Sequence, residues 1–134
     1  MSDMMKAAVF VKLGEMAVKE MPKARLEADG DIVIRVVRTC VCGSDLWFFR
    51  GLSSQEPGGQ TGHESIGVVE EAGPEVTSVK PGDFVVVPFP YSCGRCPMCK
   101  AGFESVCPHG GYFSACQAEY LRVPEADGTV VKVP

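Results

Sequence analysis

The sequence is short of histidine, of long apolar runs and of concentrated positive charge, and each shortage removes something. Only two histidines occur among 134 residues, His63 and His109, so imidazole chemistry falls to one of two positions. The longest apolar runs, residues 7–11 and 84–90, fall far short of the ~20 residues that span a bilayer as a helix. No membrane role is expected. The net charge is −4 and no basic cluster stands out, which argues against a nucleic-acid partner. The opening MSDMMKAAVFVK lacks the basic and apolar regions of a secretory signal, so a cytoplasmic location is expected. No internal repeat, low-complexity tract or linker divides residues 1–134, and one domain is expected.

What the chain does have is glycine (15), proline (10) and cysteine (7). Glycine and proline break it into short β-rich runs at 6–13, 31–41, 65–71, 83–87, 117–123 and 129–133. Several alternate, as in Ile32, Ile34 and Val36 against Val33, Arg35 and Val37. Short strands at such spacing predict a mostly β fold, a barrel or a sandwich. Lys80-Pro81-Gly82-Asp83 predicts a tight turn, with proline presetting φ and glycine accepting a positive one. One short helix is predicted over 44–50, capped by Ser44 or Asp45 and ended by Gly51.

Residues 91–110 form a loop-like, cysteine-rich lobe. Its spacing is Cys93-x2-Cys96-x2-Cys99-x7-Cys107. Four soft thiolates so placed suit one closed, tetrahedral, structural zinc. The segment has no apolar core of its own, so the metal would order it. Two disulfides would conflict with a reducing cytosol. An iron–sulfur cluster fits the first three cysteines, but the last spacing departs from ferredoxin patterns. His109, just beyond, is read as a bystander.

A second cluster reads TCVCGSDLWFFRG over 39–51. Cys42 could bind metal, Ser44 could relay a proton and Asp45 could orient a neighbour. Taken alone, a buried small residue before a helix cap explains Cys42 better. TGHESIG over 61–67 adds His63 beside Glu64, a second possible ligand and an outer carboxylate of the kind that tunes bound metals. A histidine at a strand edge is itself more often structural. Cys40 and Cys116 are read as small buried side chains.

Together these segments resemble the zinc-containing alcohol dehydrogenases of the medium-chain dehydrogenase/reductase superfamily. Gly62-His63-Glu64-x2-Gly67-x5-Gly73-x2-Val76 is similar to that family's signature. The four-cysteine spacing resembles its structural zinc lobe, and Cys42-Gly43-Ser44-Asp45 its first catalytic segment. Met5-Lys6-Ala7-Ala8 and the run from Gln117 to Pro124 also match. The resemblance implies a GroES-like, partly open β-barrel with short helices and an inserted zinc lobe. It implies a reaction in which an alcohol is oxidised to an aldehyde or ketone by hydride transfer to NAD or NADP. Its ligand set, two cysteines and one histidine, comes from the family. Cys42 and His63 would be two of the three catalytic zinc ligands, with the third in a later segment. Asp45 and Glu64 would stand behind them, Glu64 able to approach the metal. Ser44 would take the alcohol proton. Phe89, Trp47 and Phe48 would line the substrate pocket, although core packing explains Trp47 and Phe48 equally.

Two departures follow. Where some relatives carry a histidine that finishes the proton relay, this chain has Trp47. No Gly-x-Gly-x-x-Gly occurs, so the Rossmann cofactor domain is expected to lie outside residues 1–134. The chain would be the incomplete N-terminal catalytic domain, inactive alone and open to self-association. A stand-alone zinc-binding GroES-like module acting through protein contacts is the alternative reading.

Overall fold

The computed structural model describes residues 3–134, in which nine strands and three short helices surround one apolar core. Strand β1 (Met4–Lys12) and strand β2 (Glu15–Pro22) form a hairpin. Gly14 at φ +73° makes the turn, a conformation that glycine reaches without strain. The sequence reading missed β2. Its run EMAVKEMP has no clean alternation, and its side chains are exposed or half-buried throughout, so hairpin pairing rather than burial holds it.

The main sheet has the order β8-β3-β4-β5-β9. It is built from β3 (Ile32–Thr39), β4 (Ser65–Ala72), β5 (Phe84–Val87), β8 (Tyr120–Val123) and β9 (Val131–Lys132). All its neighbours are antiparallel. Single bridges from Ala7 to Ala118 and from Val9 to Gln60 tie the hairpin to the segments that lead into β8 and β4. The strands therefore wrap into a partly open barrel rather than a closed one. Ile32, Ile34, Val69, Val85, Val87, Leu121 and Val123 fill its interior, joined by Phe113 and Cys116. Burying each large aliphatic contributes about 1.5–3 kcal/mol. Asp31 is 1% exposed, and its Oδ2 accepts from the Glu27 and Ala28 amides and from Arg122 Nε at 2.6 Å.

Glycines mark close approaches. A Cβ at Gly67 would meet the Arg35 carbonyl oxygen at 2.4 Å, and one at Gly73 would meet that of Asp29 at 2.2 Å. Gly67 thus clears a neighbouring strand, not the space around His63. The turn at Lys80-Pro81-Gly82-Asp83 is as expected: Gly82 has φ +94° and Asp83 N–H donates to Lys80 O at 3.0 Å. The expected strand over 129–133 is only partly formed. Helix α3 (Ala126–Thr129) takes its first residue, and β9 holds just two.

Helix α1 (Asp45–Phe49) ends as expected at Gly51, where Gly51 N–H donates to Phe48 O and Leu52 N–H to Trp47 O. This is a Schellman pair. Its start differs from expectation, because neither Ser44 nor Asp45 caps the helix amides. The Asp45 carboxylate turns back to accept from Cys42 N–H at 2.8 Å. In the cysteine-rich lobe, β6 (Pro90–Tyr91) pairs with β7 (Gly111–Tyr112), framing α2 (Pro97–Lys100). No helix among the described residues is long and apolar enough to cross a membrane.

Candidate metal centres

The lobe brings its four expected sulfurs together. Cys96 Sγ lies 3.5 Å from Cys99 Sγ and 3.9 Å from Cys107 Sγ; Cys93 Sγ lies 3.6 Å from Cys107 Sγ and 4.0 Å from Cys99 Sγ. A tetrahedron with Zn–S bonds of about 2.3 Å has edges of about 3.8 Å, so this donor set fits zinc. All seven cysteines are free thiols. The amides of Cys93, Cys96 and Cys99 donate to the sulfurs of Cys107, Cys93 and Cys96. Backbone donation, led by the Arg95 amide, pulls the Cys93 thiol down to about 6. Burial, with hydrogen bonds to its neighbours, pushes Cys99 up to about 12. Four crowded thiols can all ionise only if a cation sits among them. His109 is outside this group. The lobe is moored to the barrel by Arg95 on Glu125 and by Ser92 Oγ on the Gly128 carbonyl at 2.9 Å.

The second site lies at one end of the β3–β4 pair. Thr39 and Ser65 are register partners, so the loop after β3, carrying Cys42, and the loop before β4, carrying His63 and Glu64, leave the sheet side by side. Ligand atoms of Cys42, His63 and Glu64 all fall within 4.8 Å of one another. His63 Nδ1 faces Asp45 Oδ1 at 3.6 Å, while Nε2 lies 3.2 Å from Ser44 Oγ and 3.5 Å from Glu64 Oε1. A metal-binding imidazole turns its other nitrogen to an oxygen acceptor. Each ring nitrogen of His63 thus has a carboxylate oxygen nearby, Asp45 Oδ1 at Nδ1 and Glu64 Oε1 at Nε2. One thiol, one imidazole and one carboxylate are a donor set zinc accepts with a position left open.

Two features of this site were not foreseen. Cys40, read as a small buried residue, is exposed: β3 ends at Thr39, and the thiol turns outward to bond Glu64 Oε2 at 2.6 Å. This bond raises the Cys40 thiol and lowers the Glu64 carboxyl. Cys116 is buried as expected, and desolvation pushes its thiol up to about 11. Gln117 is the second surprise. Its Nε2 donates to Cys40 O at 3.0 Å and to Asp45 Oδ2 at 3.4 Å, and its Oε1 accepts from Thr61 Oγ1 at 2.6 Å. Its backbone amide would be 2.8 Å from a Cβ at Gly62.

The sequence profile of the alcohol dehydrogenase GroES-like domain matches residues 28–134. The chain belongs to this family. It is 45% identical over 135 residues to zinc-type alcohol dehydrogenase B of Aspergillus flavus, covering 97% of this chain and 32% of that protein. Among solved structures, the alcohol dehydrogenase TADH from Thermus sp. ATN1 superposes with a TM-score of 0.90 at 37% identity, covering 96% of this chain and 40% of that one. A Sinorhizobium meliloti 1021 protein described as a zinc-binding dehydrogenase, solved bound to NADP, gives a TM-score of 0.76 at 29% identity, with 99% and 39% covered. The chain thus spans about a third to two fifths of the length of these relatives.

Within this alcohol dehydrogenase domain the three expected pocket aromatics separate. The Phe89 ring meets His63 edge-on, centroids 5.0 Å apart, and stacks on Tyr112 at 4.7 Å. Phe48 instead packs on Phe10 at 5.6 Å. Trp47 is 59% exposed. Tyr112 escaped sequence reading because its stacking depends on the β6–β7 pairing.

Proposed function

We propose that the chain is the metal-bearing catalytic domain of a zinc-dependent alcohol dehydrogenase whose complete form oxidises an alcohol to an aldehyde or ketone, passing a hydride to NAD or NADP. The observation that carries this is the convergence of Cys42, His63 and Glu64 within 4.8 Å, with Asp45 and Ser44 against the imidazole. A bound zinc would supply a Lewis acid that polarises the alcohol oxygen and eases loss of its proton. Ser44 would receive that proton, a role supported by its Oγ lying beside His63 Nε2. Asp45 would hold the imidazole in the tautomer that presents Nε2, its Oδ1 facing Nδ1. Phe89 gives the site an apolar wall, which would face the carbon part of a small substrate. Cys93, Cys96, Cys99 and Cys107 would hold a second, structural zinc. A cytoplasmic location, and self-association through uncovered apolar edges, go with the same reading.

The test is metal content followed by activity. The purified chain should carry two zinc ions, falling to one in Cys42→Ala. Placed beside a nicotinamide-binding domain, the Cys42→Ala form should lose alcohol-dependent reduction of NAD or NADP. Residues 1–134 alone should show no turnover, because they contain no dinucleotide-binding glycine motif. A single zinc that survives Cys42→Ala would favour the stand-alone binding module.

A further inference from the structure

Glu64 has two carboxylate oxygens with different partners. Oε2 accepts from the Cys40 thiol at 2.6 Å, and Oε1 stands 3.5 Å from His63 Nε2. The backbone beneath is also tied, since Thr39 Oγ1 donates to Glu64 O at 2.7 Å and Gln117 Nε2 holds the Cys40 carbonyl. Among the described residues no lysine or arginine pairs with Glu64, so its carboxylate orientation rests on Cys40, His63 and a hydrogen bond with Cys42. Zinc bonds of about 2.0–2.2 Å to an imidazole nitrogen and a carboxylate oxygen set those two atoms roughly 3.3 Å apart in a tetrahedron. Oε1 is therefore spaced from Nε2 as a ligand would be, and Oε2 is occupied elsewhere.

We infer that Cys40 is a positioning residue: its thiol holds Oε2 so that Glu64 turns Oε1 toward the metal position beside Cys42 and His63. The inference rests on the metal site proposed above. It adds a carboxylate to the thiol and imidazole at this site and explains why Cys40 faces outward from the end of its strand. Hydrogen-bonded support of a ligating carboxylate typically changes metal affinity by about 10–100-fold. Cys40 is exposed, so replacing it removes no core packing.

The test is cobalt(II) titration of the full chain, reading affinity and the visible bands of the second ion. Cobalt reports its coordination through those bands, and the four-thiolate lobe supplies an internal reference. Cys40→Ala should weaken the second ion about tenfold and shift its bands. Cys40→Ser, which keeps a donor, should behave as the native chain. Cys40→Ala added to Glu64→Gln should cost nothing further, because both act through one carboxylate. Native affinity in Cys40→Ala, or an equal loss in the Glu64→Gln background, would overturn the role of Cys40 while leaving the site intact. A native chain that binds one cobalt, in the lobe only, would overturn the metal site and this inference together.

Discussion

His63 Nδ1 lies 3.6 Å from Asp45 Oδ1, while the other oxygen of the same carboxylate accepts from the amide of Cys42 at 2.8 Å. One buried acid, 7% exposed, thus stands against both the imidazole and the backbone of the neighbouring thiol. Asp45→Asn removes the charge and keeps the shape. It should weaken the second metal ion by about 10–100-fold and leave the lobe's ion in place. A chelator titration with metal analysis reads both, and equal loss from the two sites would contradict this account.

Gly62 has φ +96° and the backbone amide of Gln117 in the space a Cβ would take. Gly62→Ala should therefore destabilise the fold by about 1–3 kcal/mol and displace the adjacent His63. Thermal melting should show the first effect. Loss of the second metal ion, with the lobe still loaded, should show the other.

Cys99 is one corner of the lobe's sulfur cluster, 3.5 Å from Cys96 and 4.0 Å from Cys93. Cys99→Ser should release the lobe's zinc and expose residues around 91–110 to proteolysis, since no apolar core holds them. The main sheet should survive, because its interior comes from other elements. Limited proteolysis with identification of the cut sites distinguishes local from global unfolding.

The Asp127 carboxylate accepts from both the amides and the hydroxyls of Thr77 and Ser78. Partial burial works to raise this carboxyl, but those hydrogen bonds outweigh it and hold it at about 2, below its ordinary 3.8. A lowered carboxyl stabilises the fold fully above its unfolded value, and that stabilisation is lost as pH falls through about 2. With screening by solvent at this exposed position it is worth about 1 kcal/mol. Asp127→Asn should lower stability by that amount near neutrality and flatten the acid limb of a stability–pH curve. An unchanged limb would contradict it.

Much of the site was legible because it depends on short spacings. Cysteines separated by two residues in a lobe without an apolar core leave few options besides a shared metal. Gly62-His63-Glu64 and Cys42-Gly43-Ser44-Asp45 are each local segments. What escaped was fixed by distant pairing. Gln117 reaches Asp45 and Cys40 only because the chain after residue 115 runs back past Gly62. Cys40 bonds Glu64 only because β3 stops at Thr39. Strand β2 was missed for a different reason: a strand exposed on both faces writes no alternation into its sequence. Phe48 and Trp47 follow Cys42 directly, yet helix geometry sends one to Phe10 and the other to solvent.

The pairing of Thr39 with Ser65 sets how the two sites exchange their ions. The loops bearing Cys42 and His63 are held at their spacing by a backbone ladder that exists whether or not a cation is bound. Metal can enter and leave there without the chain coming apart, so exchange should be quick and track free zinc. The lobe's own pairing spans only two residues per strand and it has no apolar core, so giving up its ion would loosen its shape. Its zinc should turn over on the slower clock of local unfolding, so one chain carries a cation that equilibrates and another that stays for as long as the lobe remains folded.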